Sequence, residues 1–215
     1  MFDSLTPLAA VLAVLGGVWG FVADRIAARW PEHEDGSVRA IDWRTPVVVV
    51  VGVLVLGALT LRFPEPVPAL IFGAYSVALV LLLATDLDQR LLPNELTLPA
   101  IPIALVLDIA GLNPLVSLDQ LPLAIVFAIV VPGILFLVSI PFGAGAIGQG
   151  DLKLLVSVGL LAGPYRLFVG VIYGALLAGV VIVVLLVAKR ITLKTFIPFG
   201  PFLIIGALWA IFAIK

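Results

Sequence analysis

Two aspartates stand where polar and apolar stretches of the chain meet. Asp86 lies in Ala84-Thr85-Asp86-Leu87-Asp88-Gln89-Arg90, and Asp151 in Gly148-Gln149-Gly150-Asp151-Leu152-Lys153. An ionisable group beside hydrocarbon is costly, so its presence there is by default a functional hypothesis. Two carboxylates held within a few Å cannot both ionise easily and come to share a proton. The ionised member can take a proton from water, and the protonated one can polarise a scissile carbonyl. Such chemistry needs no metal and no covalent intermediate. That suits a chain with no cysteine and one histidine, His33. The plainer reading is that Asp151 caps a helix start and that an aspartate at a membrane boundary is simply solvated.

The neighbours of the two aspartates shift the balance. Gly148 and Gly150 permit close backbone approach just before Asp151, so a peptide strand could lie against bare main chain. Pro93 and Asn94 read as a loop stop and the cap of the next helix. Lys153 is an interfacial lysine or a local counter-charge. Asp88 reads as a solvated loop charge, so Asp88→Asn is expected to keep substantial activity. Asp108 is expected to reach the opposite interface. His33, in Pro31-Glu32-His33-Glu34-Asp35, reads as part of a solvated loop, because its spacing matches no metal site. Gly143-Ala144-Gly145-Ala146-Ile147-Gly148 fits a dinucleotide-binding pattern. It follows no strand, however, and no acid follows Asp151 anywhere in the chain, so that reading is rejected.

The elements that must position these residues are membrane helices. Of 215 residues, 63% are hydrophobic and 12% charged, against about 45–50% and about 25% in soluble domains. This excludes a soluble globular domain, a disordered tail and a nucleic-acid binder. A net charge of -1 gives no polybasic or polyacidic character. The fold class is all-α, a polytopic membrane protein of about eight helices. The spans are Leu5–Val22, Pro46–Leu61, Pro68–Thr85, Leu96–Ala110, Leu121–Ile140, Leu152–Ala162, Leu167–Ala188 and Phe196–Ile214. The first has no basic segment ahead of it and does not read as a secretory signal. Residues 1–215 read as one integral-membrane domain.

Alternate gaps hold nine basic residues (Arg25, Arg29, Arg39, Arg44, Arg90, Lys153, Lys189, Arg190, Lys194) against three (Arg62, Arg166, Lys215). The richer side reads as cytoplasmic. Both termini are then expected outside, and both aspartates fall on the cytoplasmic side.

The motifs carry a family resemblance. Asp86 to Asn94 resembles the first aspartate motif of the type IV prepilin peptidases, and Gly148 to Leu155 their second, GxGD-type motif. Pro198-Phe199-Gly200-Pro201-Phe202 is similar to the segment before their last helix, and Gly16 to Pro31 to their first helix and its exit. The resemblance covers nearly the whole chain, with the motifs in the family's order. It implies an aspartyl endopeptidase of the cytoplasmic membrane that cuts the leader from prepilins or pseudopilins, the precursors of type IV pilus and protein secretion systems. Asp86 and Asp151 match the catalytic pair. Gly148 and Gly150 match the motif glycines, with Pro93, Asn94, Lys153, Pro198 and Gly200 as motif support or substrate-binding positions.

Bacterial members often also methylate the new N-terminus with S-adenosylmethionine, and longer forms carry cysteine motifs for zinc. Here the loop at 23–45 has no cysteine. No metal is therefore expected, no cofactor is needed for proteolysis, and S-adenosylmethionine enters only if methylation is retained. The partners implied are a pilin-like protein substrate and the lipid bilayer, not nucleic acid. Two other readings stand beside this one. Another GxGD intramembrane protease would show Tyr-Asp and a late Pro-Ala-Leu, whereas Thr85 precedes Asp86 and Pro68-Ala69-Leu70 lies ahead of both aspartates. A small ion-coupled transporter would show internal symmetry and carboxylates near mid-helix.

Overall fold

The computed structural model describes residues 6–33, 36–142, 147–192 and 198–214. Glu34, Asp35, Lys194, Lys215 and residues 143–146 of the rejected glycine pattern lie outside them, as do the first residues of the spans expected at Leu5 and Phe196.

Seven α-helices run through the described residues: α1 (Thr6–Ala27), α2 (Arg44–Arg62), α3 (Pro66–Gln89), α4 (Asn94–Ile109), α5 (Leu121–Ser139), α6 (Gln149–Val187) and α7 (Gly200–Ala213). Of these, α1, α2, α3, α5 and α6 are long and apolar enough to cross a membrane. The polytopic all-α expectation agrees with this, but the count of eight does not. The spans expected at Leu152–Ala162 and Leu167–Ala188 are the two arms of α6, helical on either side of a non-helical break. Its 39 residues are broken at Gly163, whose φ of 83° is a glycine conformation, and Pro164 follows. Eight residues of straight helix span about 12 Å. Yet a Cβ on Gly159 would sit 2.9 Å from the Leu167 side chain, so the second arm bends back beside the first.

Proline and glycine set the other boundaries. Pro66 opens α3, and Arg90 ends it in a left-handed conformation, its N–H bonded to the Asp86 carbonyl. Pro99 and Pro102 lie inside α4, where each removes one helical donor.

Small residues bring helices close, as is usual where lipid supplies no hydrophobic drive for association. Gly20 of α1 faces α2, where a Cβ would meet the Val48 carbonyl oxygen at 2.6 Å. A Cβ on Gly174, which faces α7, would lie 2.7 Å from the Phe202 carbonyl oxygen. The core joins Phe72, Leu79 and Leu83 of α3 to Leu154, Leu155 and Val158 of α6 and to Leu203 and Ile204 of α7. Large apolar side chains such as Val14, Leu70, Ile129 and Val187 are exposed, which is the outward face expected against lipid. Because α7 packs on both α3 and α6, its first residues sit between the ends that carry Asp86 and Asp151.

Candidate active site

Asp86 occupies the last turn of α3 and Asp151 the first turn of α6. Both are buried, at 4% and 7% relative exposure. Gly200, the first residue of α7, separates them. A Cβ built there would lie 2.8 Å from Asp86 Cγ and 2.7 Å from Asp151 Oδ1, so those two atoms are at most about 5.5 Å apart. The Gly148 N–H donates to Asp151 Oδ2 at 3.3 Å. That bond engages one oxygen and leaves Oδ1 facing Asp86. Asp86 Oδ2, nearest to Gly200, is buried without a protein hydrogen-bond partner among the described residues. Two carboxylates thus converge on the space at Gly200, close enough for one water to bridge them.

The glycines of the motif have definite neighbours. A Cβ on Gly150 would meet Leu92 Cβ at 2.7 Å, so the bare backbone before Asp151 seats the α3–α4 connection. The strand-accepting surface expected there is occupied, at Gly150, by the chain's own Leu92. Lys153 Nζ donates to Asn94 Oδ1 at 2.7 Å, tying the start of α6 to the start of α4. Pro93, rather than Asn94, stands at the cap position. Its carbonyl accepts from the N–H of Leu96, the N–H of Thr97 and the Thr97 hydroxyl. Asn94 is the first helical residue, and no side-chain cap bond is present. Pro198 precedes Phe199, whose carbonyl receives the first backbone bonds of α7.

Three expectations are corrected. Asp88 is not a solvated loop charge. Its side chain is 2% exposed, with Oδ1 2.6 Å from Arg39 Nε and Oδ2 3.2 Å from His33 Nε2. The loop carrying His33 and Arg39 folds back over α3, which sequence spacing alone does not reveal. His33 correspondingly packs against the Asp88 carboxylate rather than standing free in the loop. Asp108 is buried and receives the Asn113 side-chain N–H at 2.7 Å, so it is held inside the protein rather than open to solvent.

Asp24 escaped the sequence reading. It is fully buried in the last turn of α1 and receives the side chains of Arg25, Arg39 and Thr45. An acid near a helix C-terminus opposes the helix dipole, so Asp24 inside an apolar run was a signal that buried cations must surround it. For Asp88, replacement by Asn would leave Arg39 and Arg44 short of a buried counter-charge. A stability loss of about 3 kcal/mol is expected, read as a lowered thermal midpoint in detergent. An unchanged midpoint would mean that Asp88 is solvated after all.

Residues 73–184, which include both aspartates, match the type IV leader peptidase family. The chain belongs to that family. Among curated type IV leader peptidase relatives, the "Prepilin leader peptidase/N-methyltransferase" of Pseudomonas putida is 30% identical over 167 residues, covering 77% of this chain and 57% of the relative. The protein of the same name from Burkholderia pseudomallei strain 1026b is 33% identical over 167 residues, or 75% and 52%. That from Pseudomonas aeruginosa is 29% identical over 173 residues, or 78% and 57%. The chain therefore spans little more than half the length of these relatives. No solved structure matches.

A zinc site does not fit the residues present. The chain has no cysteine, and among the described residues no three His, Asp or Glu side chains are grouped to hold a metal.

Proposed function

We propose that this chain is an aspartyl endopeptidase that cuts the leader from type IV prepilin or pseudopilin-like precursors, with Asp86 and Asp151 as its catalytic pair. The observation that carries this reading is the convergence of two buried carboxylates on Gly200 at the ends of α3 and α6. The ionised partner of the pair takes a proton from the bridging water, which attacks the scissile carbonyl carbon. The protonated partner donates to the carbonyl oxygen as the tetrahedral intermediate forms. The proton taken from water then passes to the leaving amine. Burial excludes bulk water and strengthens both interactions.

Gly148 supports the pair by holding one Asp151 oxygen through its N–H. Gly150, Pro93, Asn94 and Lys153 support it by fixing the α3–α4 connection against α6. Gly200 supports it by leaving room where any side chain would intrude. The whole of residues 1–215 acts as one membrane domain. Methyl transfer belongs to the relatives' names and is not carried over.

The test is cleavage of a pilin-type precursor by the purified chain in proteoliposomes. Product of the leader-free size is expected, and a chelator should leave the rate unchanged because no donor set for a metal is grouped among the described residues. Absence of cleavage overturns the proposal, and loss of cleavage with chelator, restored by metal, overturns its metal-free mechanism.

We also place the aspartates at the cytoplasmic face with both termini outside. Basic residues gather at that end of the bundle, with Arg25, Arg39 and Arg44 around the α1–α2 loop, whereas Arg62 and Arg166 bond to carbonyls at the far end of α7. A reporter fused after Ile214 should behave as external. Cytoplasmic behaviour would reverse the assignment.

A further inference from the structure

Beside the carboxylate pair lies a second, ionic cluster that takes no part in the proposed chemistry. Arg39, in the loop between α1 and α2, is at its centre. Its guanidinium meets Asp24 of α1, Asp42 at 2.7 Å and Asp88 of α3 at 2.6 Å. Arg44, at the start of α2, pairs with Asp42 at 2.8 Å and approaches Asp88 at 3.7 Å. His33 faces Asp88, Arg25 faces Asp24, and the Thr45 hydroxyl donates to Asp24. Arg39 is 11% exposed, and the side chains of Asp24 and Asp88 are 1% and 2% exposed. Burial works against the Arg39 charge, but the Asp24 hydrogen bond and the charges of Asp24, Asp88 and Asp42 outweigh it and hold its pKa above the ordinary value.

The cluster stands two residues from Asp86. On a helix, positions i and i+2 point about 200° apart. Asp86 therefore faces α7 and Asp151 while Asp88 faces α1 and its loop. A grip on Asp88 fixes the rotation of the last turn of α3 about its axis, and hence where Asp86 points. Gln89 adds a second tie, its side chain donating to the Ala27 and Pro31 carbonyls. The left-handed residue Arg90 ends the helix immediately afterwards, so this turn has no continuing helix to steady it.

We propose that Arg39 is a positioning residue that, through Asp88, sets the orientation of Asp86 toward Asp151. The proposal rests on the aspartyl-protease reading above. It differs from a purely structural role in its kinetic signature. A structural loss lowers the amount of folded enzyme, whereas misdirection of Asp86 lowers turnover in enzyme that stays folded and binds substrate normally.

The test compares Arg39→Gln and Arg39→Lys with the parent in proteoliposomes, well below each variant's thermal midpoint. Arg39→Gln is expected to lower kcat at least ~10-fold with KM changed less than ~2-fold, a loss of the general acid–base kind. Arg39→Lys keeps the charge without the fork and should recover part of the loss. Adding Asp88→Asn to Arg39→Gln should lower kcat little further, because both changes break one tie.

A second arm does not depend on activity. The chain lacks cysteine, so spin labels on Leu91→Cys and Val187→Cys, both exposed, report the end of α3 against the end of α6. Arg39→Gln should broaden that distance distribution. An unchanged distribution, or an unchanged kcat, overturns the proposal. If the parent itself does not cleave, the protease reading fails, and the distance measurement still shows whether Arg39 holds α3.

Discussion

Replacing Asp86 or Asp151 singly by Asn is expected to reduce cleavage of a pilin-type precursor by at least ~10³-fold while the protein stays folded in the membrane. General acid and general base assistance each contribute about 10²–10⁴, and the pair supplies both. An amide has nearly the shape of a carboxylate but can neither accept the water's proton nor give one up. Folding should not suffer, since each variant removes one of two like-charged groups that lie buried within a few Å of each other. The double variant should be little worse than either single one, because the two residues act as a unit. Cleavage rates for the three variants, with thermal midpoints measured on the same preparations, decide this. A single variant that cleaves near the parent rate removes its aspartate from the chemistry.

Gly200→Ala carries the second large effect. Its Cβ would sit 2.7 Å from Asp151 Oδ1 and nearer still to Asp86 Oδ2. Non-bonded carbon and oxygen do not approach so closely, so a carboxylate must turn away or α7 must retreat. Retreat is opposed by the tight contacts of Gly206 with Gly170 and Gly174 on α6, so the carboxylates should yield. The expected loss is ~10²-fold or more in kcat, since misplacement of about 1 Å costs this much in positioned catalysis. The thermal midpoint should move by only a few degrees. Full activity in Gly200→Ala would show that the space between the aspartates is not where the reaction occurs.

Much of this arrangement was legible in the sequence, for identifiable reasons. Apolar runs near 20 residues mark membrane helices because the bilayer forbids unsatisfied backbone. The two aspartates stood out because charge at such boundaries is costly. What was not legible is the long-range folding of the α1–α2 loop. Asp88 looked solvated because nothing local showed that Arg39 and His33, about 50 residues earlier in the chain, would cover it. Asp24 and Arg39 were passed over for the same reason, although an acid at the end of an apolar helix was a usable warning. The helix count differs only at Gly163-Pro164, where the two expected spans are joined directly through a sharp non-helical bend and make up one continuous element, α6. Gly200 was picked out by its motif, but its part in separating the carboxylates needed the packing of α7 on α3 and α6.

The central claim is that Asp86 and Asp151 together activate one water against a peptide bond. It is tested most directly by incubating the reconstituted chain with a pilin-type precursor in H₂¹⁸O and identifying the products by mass spectrometry. The account predicts a single cut at the leader boundary, one ¹⁸O in the new carboxyl group of the leader, and neither product with Asp86→Asn or Asp151→Asn. The same cut persisting in both variants would contradict it.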